Sequence, residues 1–341
     1  MVSTYLNVGW VAYSNIYPVS SSLAHYLDQE QVPWFEGVPA VINRALREGQ
    51  LQVALSSSVN YFKIKQCERF VDYGICADGA VGSVYLGMKA APPDLIHHLK
   101  RAQGFCQQHP VNGGESLAEL KRALSLEYHG DLPPLKLGAV SESSAILALI
   151  MYHLWFGRSP DLPGQTTRPP RGLRQLDPLE SLTSYRQEDF SPGEFHLMIG
   201  DEAFRYSNEF DFKIDLSLAW QNLTSLPFVF SLWLHVPRYP YSSAELSKLE
   251  KIKQLIHLAI QQGERYIEEA SQKGDFTGLL APNAKIYFDA ELSRYVDLIK
   301  YWRDTIYYRV GPREKKSFAL YSRLAQEVTS SSPLDDKSAL C

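Results

Sequence analysis

Three short polar loops carry side chains of this sequence that could do chemistry. They are Ser14-Asn15, Ser56-Ser57-Ser58 and Ser141-Glu142-Ser143-Ser144. Each loop lies between a predicted strand and a predicted helix, where hydroxyl groups and the free backbone N–H groups of a helix N-terminus can bind an anion without arginine. A serine at a helix start is more often a simple N-cap. Three such loops at strand ends favour a neutral, donor-rich pocket for a small carboxylate.

Two glycine turns extend this pattern. Gly82-Ser83 and Gly200-Asp201 also follow predicted strands, and glycine allows a ligand to approach the backbone closely. Asp201 places a carboxylate at the carboxyl end of a strand, which is the edge where open α/β sheets bind ligands. Further along, Asp215 and Thr224 are spaced among large apolar residues. Packing alone would not require so many polar groups there.

Metal and redox chemistry find little support in the sequence. The nine histidines form no HExxH motif, and the four cysteines form no CxxC motif. We therefore expect no metal site and free, buried thiols. Asn112-Gly113-Gly114 lacks the lysine of a phosphate-binding loop and is expected to be a turn.

Composition restricts the class of protein. The chain has 341 residues with a formal net charge of −4, and its isoelectric point is near 6.2. Nucleic acid is not expected as a partner, because it requires a basic face. No apolar run reaches the ~18 residues of a membrane span, and the N-terminus lacks the pattern of an export signal. We expect a cytoplasmic protein with about two lobes.

The elements that must position the polar loops alternate between strands and helices. This order predicts an α/β protein with a mostly parallel sheet. Three helices are predicted after residue 233: one opened by a capping box at Ser242 and Glu245, a second over Asp289–Val310, and a third over Ser317–Val328. The apolar stripe of the first begins at Leu246.

The predicted organisation is two lobes with a ligand cleft between them. Residues 1–88 and 228–328 form lobe one, and residues 89–227 are inserted as lobe two. Residues 158–174 are expected to be a surface loop, and residues 329–341 a disordered tail. Such clefts bind small molecules by closing over them.

Several motifs of the sequence, in the order in which they occur along the chain, resemble those of a known family. They are Val8-Gly9…Tyr13-Ser14-Asn15…Pro18, Val53-Ala-Leu-Ser-Ser57, Asp78-Gly79-Ala-Val-Gly-Ser83, Ile199-Gly-Asp-Glu-Ala203 and Asp215-Leu…Trp220…Thr224…Leu226-Pro-Phe-Val-Phe230…Trp233. The sequence is similar to the chorismate dehydratases of the futalosine route to menaquinone. The resemblance implies a two-lobed fold like the type II periplasmic binding proteins. It also implies elimination of water from chorismate to give 3-[(1-carboxyvinyl)oxy]benzoate, a hydro-lyase reaction that needs no cofactor.

The resemblance also implies roles for individual residues. Asn15 and Ser83 would donate to a carboxylate or hydroxyl of the substrate, and Asp201 is a candidate base or a structural residue. The substrate's own enolpyruvyl carboxylate is the other candidate base. The remaining substrate-binding candidates are Ser56, Ser57, Gly82, Ser141, Ser143, Ser144 and Thr224.

The sequence departs from the family pattern at four places. Gln52 stands where the family has an acidic residue, and the span Ala90–Pro134 is longer than expected. Glu142 stands where the family has a cation, and it would repel a carboxylate unless it points outward. Ser225 stands where the family has glycine.

Two other functions stay open. One is 1,4-dihydroxy-6-naphthoate synthase of the same pathway, whose family opens with a different motif. The other is a cytosolic protein that binds a small carboxylate without catalysis. Chorismate is the expected small-molecule partner, with neither membrane nor nucleic acid. A homodimer is compatible with the sequence, which does not decide the oligomeric state.

Overall fold

The structure is a computed structural model, and it describes residues 6–111, 114–124, 128–137, 141–157, 160, 190–238, 240–276 and 290–330. Most of the loop predicted over residues 158–174 and nearly all of the tail predicted over 329–341 lie outside the described residues. The turn predicted at Asn112-Gly113-Gly114 is described only at Gly114.

The described residues divide into two compact units. Unit 1 comprises those within Met1–Ile75 and Phe230–Arg309, and unit 2 those within Cys76–Pro170, Thr183–Val229 and Val310–Cys341. The lobe boundaries drawn from the sequence stay a prediction. They assigned residues 310–328 to lobe one, whereas these residues group here with unit 2.

Ten strands form two sheets within the described residues. In chain order they are β1 (Val8–Val11), β2 (Trp34–Gly37), β3 (Val53–Ser57), β4 (Glu68–Ala77), β5 (Val84–Met88), β6 (Leu135–Lys136), β7 (Phe195–Ile199), β8 (Phe212–Asp215), β9 (Phe228–His235) and β10 (Tyr307–Arg309). The strand order is β10-β4-β9-β3-β1-β2 in the larger sheet and β6-β7-β5-β8 in the smaller one.

The strand directions correct the prediction of a mostly parallel sheet. In the larger sheet β1 runs parallel to β2 and β3, but β9 returns antiparallel to β3. In the smaller sheet β5 is antiparallel to both β7 and β8, and only the β6–β7 pair is parallel. Alternation of strands and helices along the chain therefore identified the class but not the direction of the returning strands.

The helices cover the sheets. In chain order they are α1 (Tyr17–Gln29), α2 (Pro39–Arg47), α3 (Asn60–Lys63), α4 (Pro93–Gln108), α5 (Leu117–Leu124), α6 (Glu142–Phe156), α7 (Gly200–Arg205), α8 (Leu216–Thr224), α9 (Ser243–Lys273), α10 (Leu298–Lys300) and α11 (Pro312–Ser330).

Local sequence explains how the long helix α9 begins and packs. Ser242 and Glu245 form the predicted capping box, which satisfies backbone N–H groups of the first turn. A Cβ atom on Gly263 would lie 2.9 Å from the carbonyl oxygen of Pro18, so glycine permits close packing of α9 against α1. Leu246, placed in the apolar stripe from its spacing, is instead half exposed near the start of the helix.

The helix predicted over Asp289–Val310 is wrong. That segment contains a 3-10 turn at Ala290–Arg294, the short α10, a π-helical turn at Tyr301–Thr305 and the strand β10. Asp297 caps α10 by accepting from the N–H of Lys300, so the helix pattern is interrupted before it. The tyrosines of Tyr307–Arg309 then join the edge of the larger sheet, where aromatic residues are favoured.

Candidate functional site

One edge of the smaller sheet gathers most of the predicted site residues of unit 2. Val84 of β5 pairs with Ile199 of β7, and Tyr85 pairs with Asp215 of β8. The carboxyl ends of β7 and β8 therefore lie beside the amino end of β5. The N–H of Gly200 donates to the carbonyl oxygen of Ser83 over 2.8 Å, which joins the two glycine turns directly.

The turn before β5 is held by acidic side chains. Asp215 accepts hydrogen bonds from the N–H groups of Val81 (2.9 Å) and Gly82 (2.6 Å) through Oδ2. Asp78, at the start of the turn, accepts from Gln221 of α8 over 2.8 Å and pairs with Arg313 of α11 over 2.6 Å. These contacts fix the backbone that carries Ser83, which is 2% exposed.

Asp215 also begins α8. Its Oδ1 accepts from the N–H of Leu218 over 3.0 Å, as an N-cap residue does. Burial raises the pKa of the Asp215 carboxyl, while the N–H groups of Leu218, Gly82 and Val81 lower it. The Asp215 carboxylate is thus half-buried and accepts several backbone hydrogen bonds, which favour the charged form.

The serines at the start of α6 form the second part of this edge, because β6 runs parallel to β7. Ser141 is the N-cap residue, yet its side chain makes no capping hydrogen bond. Ser143 and Ser144 are buried, and the hydroxyl of Tyr321 in α11 donates to the carbonyl oxygen of Ser143 over 3.0 Å. Burial raises the pKa of Tyr321 well above its ordinary value, so this group stays a neutral donor.

Three acidic side chains are buried in the first turns of α6 and α7. They are Glu142, Asp201 and Glu202, each less than 9% exposed. Carboxylates are favoured near a helix N-terminus because they face its positive end. Glu142 is buried and so does not point into solvent, which was the condition under which it would not repel a substrate carboxylate. Asp201 occupies a position that suits a structural role as well as a catalytic one.

In unit 1, Ser14-Asn15 and the serines of β3 share one sheet edge, because β1 and β3 are adjacent and parallel. Ser14–Ile16 is a 3-10 turn held by two buried donors. The indole N–H of Trp302 donates to the carbonyl oxygen of Ser14, and the hydroxyl of Tyr308 donates to that of Asn15, both over 2.8 Å. The amide oxygen of Asn15 is buried without a hydrogen-bond partner among the described residues.

Ser56 and Ser57 lie at this edge but take part in an internal network. Ser56 Oγ donates to Asn43 Oδ1 over 2.8 Å, and Asn43 Nδ2 donates to Ser57 Oγ over 2.9 Å. Asn60 Nδ2 donates to Ser56 Oγ over 2.8 Å. These side chains are buried, so both serines already serve the packing of β3 against α2. Their role as ligand donors stays a prediction.

Thr224 lies in the last turn of α8, not at its start. Its hydroxyl donates to the carbonyl oxygen of Trp220 over 2.8 Å and accepts from the N–H of Leu226 over 3.1 Å. Both hydrogen bonds serve the end of the helix. Ser225 follows with φ of +57°, a left-handed conformation for which glycine is the usual residue.

Sequence reasoning missed the residues that support the site. Trp302 and Tyr308 lie in the segment that was predicted to be a helix over Asp289–Val310, and Asn43 lies in α2 without a motif around it. Asp215 carried a signal, because a carboxylate directly before a helix pattern is a typical N-cap. Its second contact, with Val81 and Gly82, lies 134 and 133 residues away in the chain and leaves no local pattern.

Among the described residues, no three His, Cys, Asp or Glu side chains are placed to hold a metal ion. Within the same part of the chain, no helix combines the length and apolar character that crossing a bilayer requires.

The chain also resembles known proteins in sequence and in fold. A family model described as "Menaquinone biosynthesis" matches residues 6–98 and 182–327. No protein of curated function matches the sequence.

Among solved structures, protein AF1704 from Archaeoglobus fulgidus is 11% identical, with a TM-score of 0.52 over 98% of this chain and 100% of that one. The aliphatic sulphonate-binding protein SsuA from Escherichia coli is 12% identical, with a TM-score of 0.48 over 99% and 96%. SsuA from Xanthomonas axonopodis pv. citri, bound to MOPS, is 11% identical, with a TM-score of 0.48 over 99% and 94%. The likeness to AF1704 bears on the fold alone. With the two units and their sheets it confirms the predicted class, an α/β protein of the two-lobed type II periplasmic-binding-protein-like kind.

Proposed function

Because the chain belongs to the menaquinone biosynthesis family, we propose that it is a chorismate dehydratase acting in that pathway. The reaction removes the proton from the ring carbon that bears the enolpyruvyl ether. It then expels the neighbouring hydroxyl, and the ring becomes aromatic. Aromatisation supplies the driving force, so the protein must hold the substrate, stabilise the charge that develops on the ring carboxylate and assist departure of the hydroxyl.

The buried amide oxygen of Asn15 is the observation that carries this proposal. Its oxygen has no hydrogen-bond partner among the described residues, although buried polar groups nearly always have one. The turn beneath it is fixed by Trp302 and Tyr308. A substrate hydroxyl that donates to this oxygen would satisfy it, and the amide N–H₂ group can donate to the substrate in turn.

Ser83 is proposed as the second contact. Its turn is held by backbone hydrogen bonds to Asp215 and by the N–H of Gly200, so its position is set before substrate arrives. Preorganised neutral donors of this type are each worth roughly 2.7–4 kcal/mol in the transition state. We propose that Ser83 and the serines of α6 stabilise the developing carboxylate charge.

The base stays open between two groups. Asp201 is buried in the first turn of α7, where a structural role accounts for it equally well. The enolpyruvyl carboxylate of the substrate lies near the proton to be removed and could take it. If Asp201→Asn retains turnover within about tenfold, below the 10²–10⁴ typical of a general base, then Asp201 is not the base.

Incubation with chorismate tests the proposal. A new aromatic product in the ultraviolet spectrum supports it, and tight binding without turnover would instead indicate a carboxylate-binding protein. Release of 1,4-dihydroxy-6-naphthoate from a cyclised futalosine would indicate the other enzyme of the pathway. The cytoplasmic location and a homodimer remain part of the proposal, to be examined by cell fractionation and by light scattering.

Substitution at Asn15 tests the site itself. Asn15→Ala should abolish turnover and leave the melting temperature close to that of the wild type. The matched control is Asn208→Ala, because Asn208 also lies in a 3-10 turn but is exposed. A large fall in melting temperature for Asn15→Ala alone would mean that this residue is structural.

A further inference from the structure

The turn between β4 and β5 is unusual in its dependence on side chains of other elements. It contains Gly79 and Gly82 at φ of +119° and +68°, so its backbone follows neither a helix nor a strand. Asp78 anchors one end of the turn on α8 and α11. Asp215 anchors the other end, directly beside Ser83.

Asp215 does more than a helix cap requires. Capping α8 uses one carboxylate oxygen, which accepts from Leu218. The other oxygen accepts two N–H groups, from Val81 and Gly82. A serine or asparagine would cap α8 about as well as aspartate, but each has only one accepting side-chain oxygen, whereas a carboxylate has two. The carboxylate therefore fits the position because it joins the turn to the helix.

The Asp215 carboxyl is half-buried, and burial raises its pKa. A carboxylate taken out of water costs free energy, which hydrogen bonds from several N–H groups offset. Hydrogen bonds to a charged acceptor are stronger than those between neutral groups. The bonds to Val81 and Gly82 therefore favour one conformation of the turn that carries Ser83.

We propose that Asp215 is a positioning residue for the reaction: its Oδ2 holds the N–H groups of Val81 and Gly82 and thereby places Ser83 against the substrate. The inference rests on the proposed function, because it assigns Ser83 a contact in that reaction. Asp215 itself touches no substrate. Its contribution is the conformation of the turn, which small displacements would spoil, since about 1 Å of misplacement can cost 10²-fold in rate.

The test is Asp215→Asn. Asparagine can keep the cap on Leu218 through its oxygen, but its N–H₂ group then faces the donors of Val81 and Gly82. We expect kcat for chorismate to fall by about ten- to a hundredfold, with KM changed by less than about threefold. Amide hydrogen exchange of residues 79–83 should accelerate at the same time. Asp215→Ser, which also retains a cap, should give the same pattern if the asparagine variant folds poorly.

Ser242→Ala is the control for loss of stability alone. It removes the cap at the start of α9, where Ser242 Oγ accepts from the N–H of Glu245 over 3.2 Å. Its melting temperature should fall, because loss of a helix cap destabilises the folded state, while kcat stays at the wild-type value.

The outcomes separate the two proposals. Wild-type protein that does not convert chorismate overturns the proposed function. Wild-type protein that converts it, together with Asp215→Asn and Asp215→Ser variants that retain full kcat, overturns the positioning role alone. Loss of kcat with unchanged amide exchange over residues 79–83 also overturns it, because the turn would then be intact.

Discussion

The hydroxyl of Tyr308 offers a narrow perturbation of the candidate site. Tyr308→Phe removes one oxygen atom and keeps the ring. That oxygen donates to the carbonyl of Asn15 over 2.8 Å, and burial raises the pKa of Tyr308 well above its ordinary value. The hydroxyl is therefore a neutral donor at every working pH, and its removal loosens the turn that carries Asn15 without touching the side chain of Asn15.

The expected magnitude follows from the strength of one neutral hydrogen bond, about 1–1.5 kcal/mol net. Unfolding free energy should fall by about that amount. If the same free energy holds the Ser14–Ile16 turn in its binding conformation, the equilibrium ratio of that conformation to its alternatives falls by about five- to twelvefold, because about 1.4 kcal/mol corresponds to tenfold. The rate of chorismate conversion at low substrate concentration should fall by at most the same factor, and by about twofold if the turn has no other support.

A matched variant makes the result interpretable. Tyr152→Phe removes the same type of bond, from a buried tyrosine hydroxyl to the carbonyl oxygen of Pro133 over 2.9 Å, far along α6 from its serines. Urea unfolding and initial rates would be measured for both variants. If both variants lose the same stability and both keep the wild-type rate, the view that Tyr308 supports the site is refuted.

Three further outcomes are expected. Ser225→Gly should stabilise the protein by about 1 kcal/mol, because the left-handed conformation at φ of +57° costs a serine about 1–2 kcal/mol while glycine loses about 0.4–1 kcal/mol in chain entropy. An unchanged or lower melting temperature would contradict this. Asn43→Leu removes the three hydrogen bonds that join Asn43 to Ser56 and Ser57 and should lower the unfolding free energy by about 2–4 kcal/mol. A shift below about 1 kcal/mol in urea would show that the network is dispensable. Burial lowers the pKa of His196 to about 4, so between pH 6.5 and 4 the unfolded state binds a proton that the folded state does not, and stability falls as the pH falls. His196→Phe should therefore weaken the acid dependence of the melting temperature in that window, and an unaltered pH profile would exclude His196 as its source.

Periodicity and end signals in the sequence were sufficient for most elements of the fold. Val84–Met88 and Phe195–Ile199 are short apolar runs between turn residues, a pattern that predicts buried strands, and both are strands in the structure. The helix over Pro39–Arg47 has a proline at its start and Gly49 after its end. These signals act over a few residues and need no knowledge of distant contacts.

The segment from residue 290 to residue 310 shows where this reasoning fails. Its apolar and aromatic residues fit a helix pattern, yet Tyr307–Arg309 is a strand. The sheet edge beside β4 offers backbone hydrogen bonds that outweigh local preference, since the same residue can favour either state according to its surroundings. The spacing of residues within the segment does not indicate that it will join this edge of the sheet.

The sequence by itself determined which residue types stand after each strand, and thus that hydroxyl, amide and glycine groups would gather at sheet edges. Only the tertiary structure decided what each group does there. Ser56 and Ser57 form hydrogen bonds with Asn43, Asp215 joins a helix to a turn 133 residues away, and Trp302 and Tyr308 hold Ser14-Asn15. The physical reason is that a hydrogen bond depends on distance and angle in space, whereas sequence patterns record only neighbours along the chain.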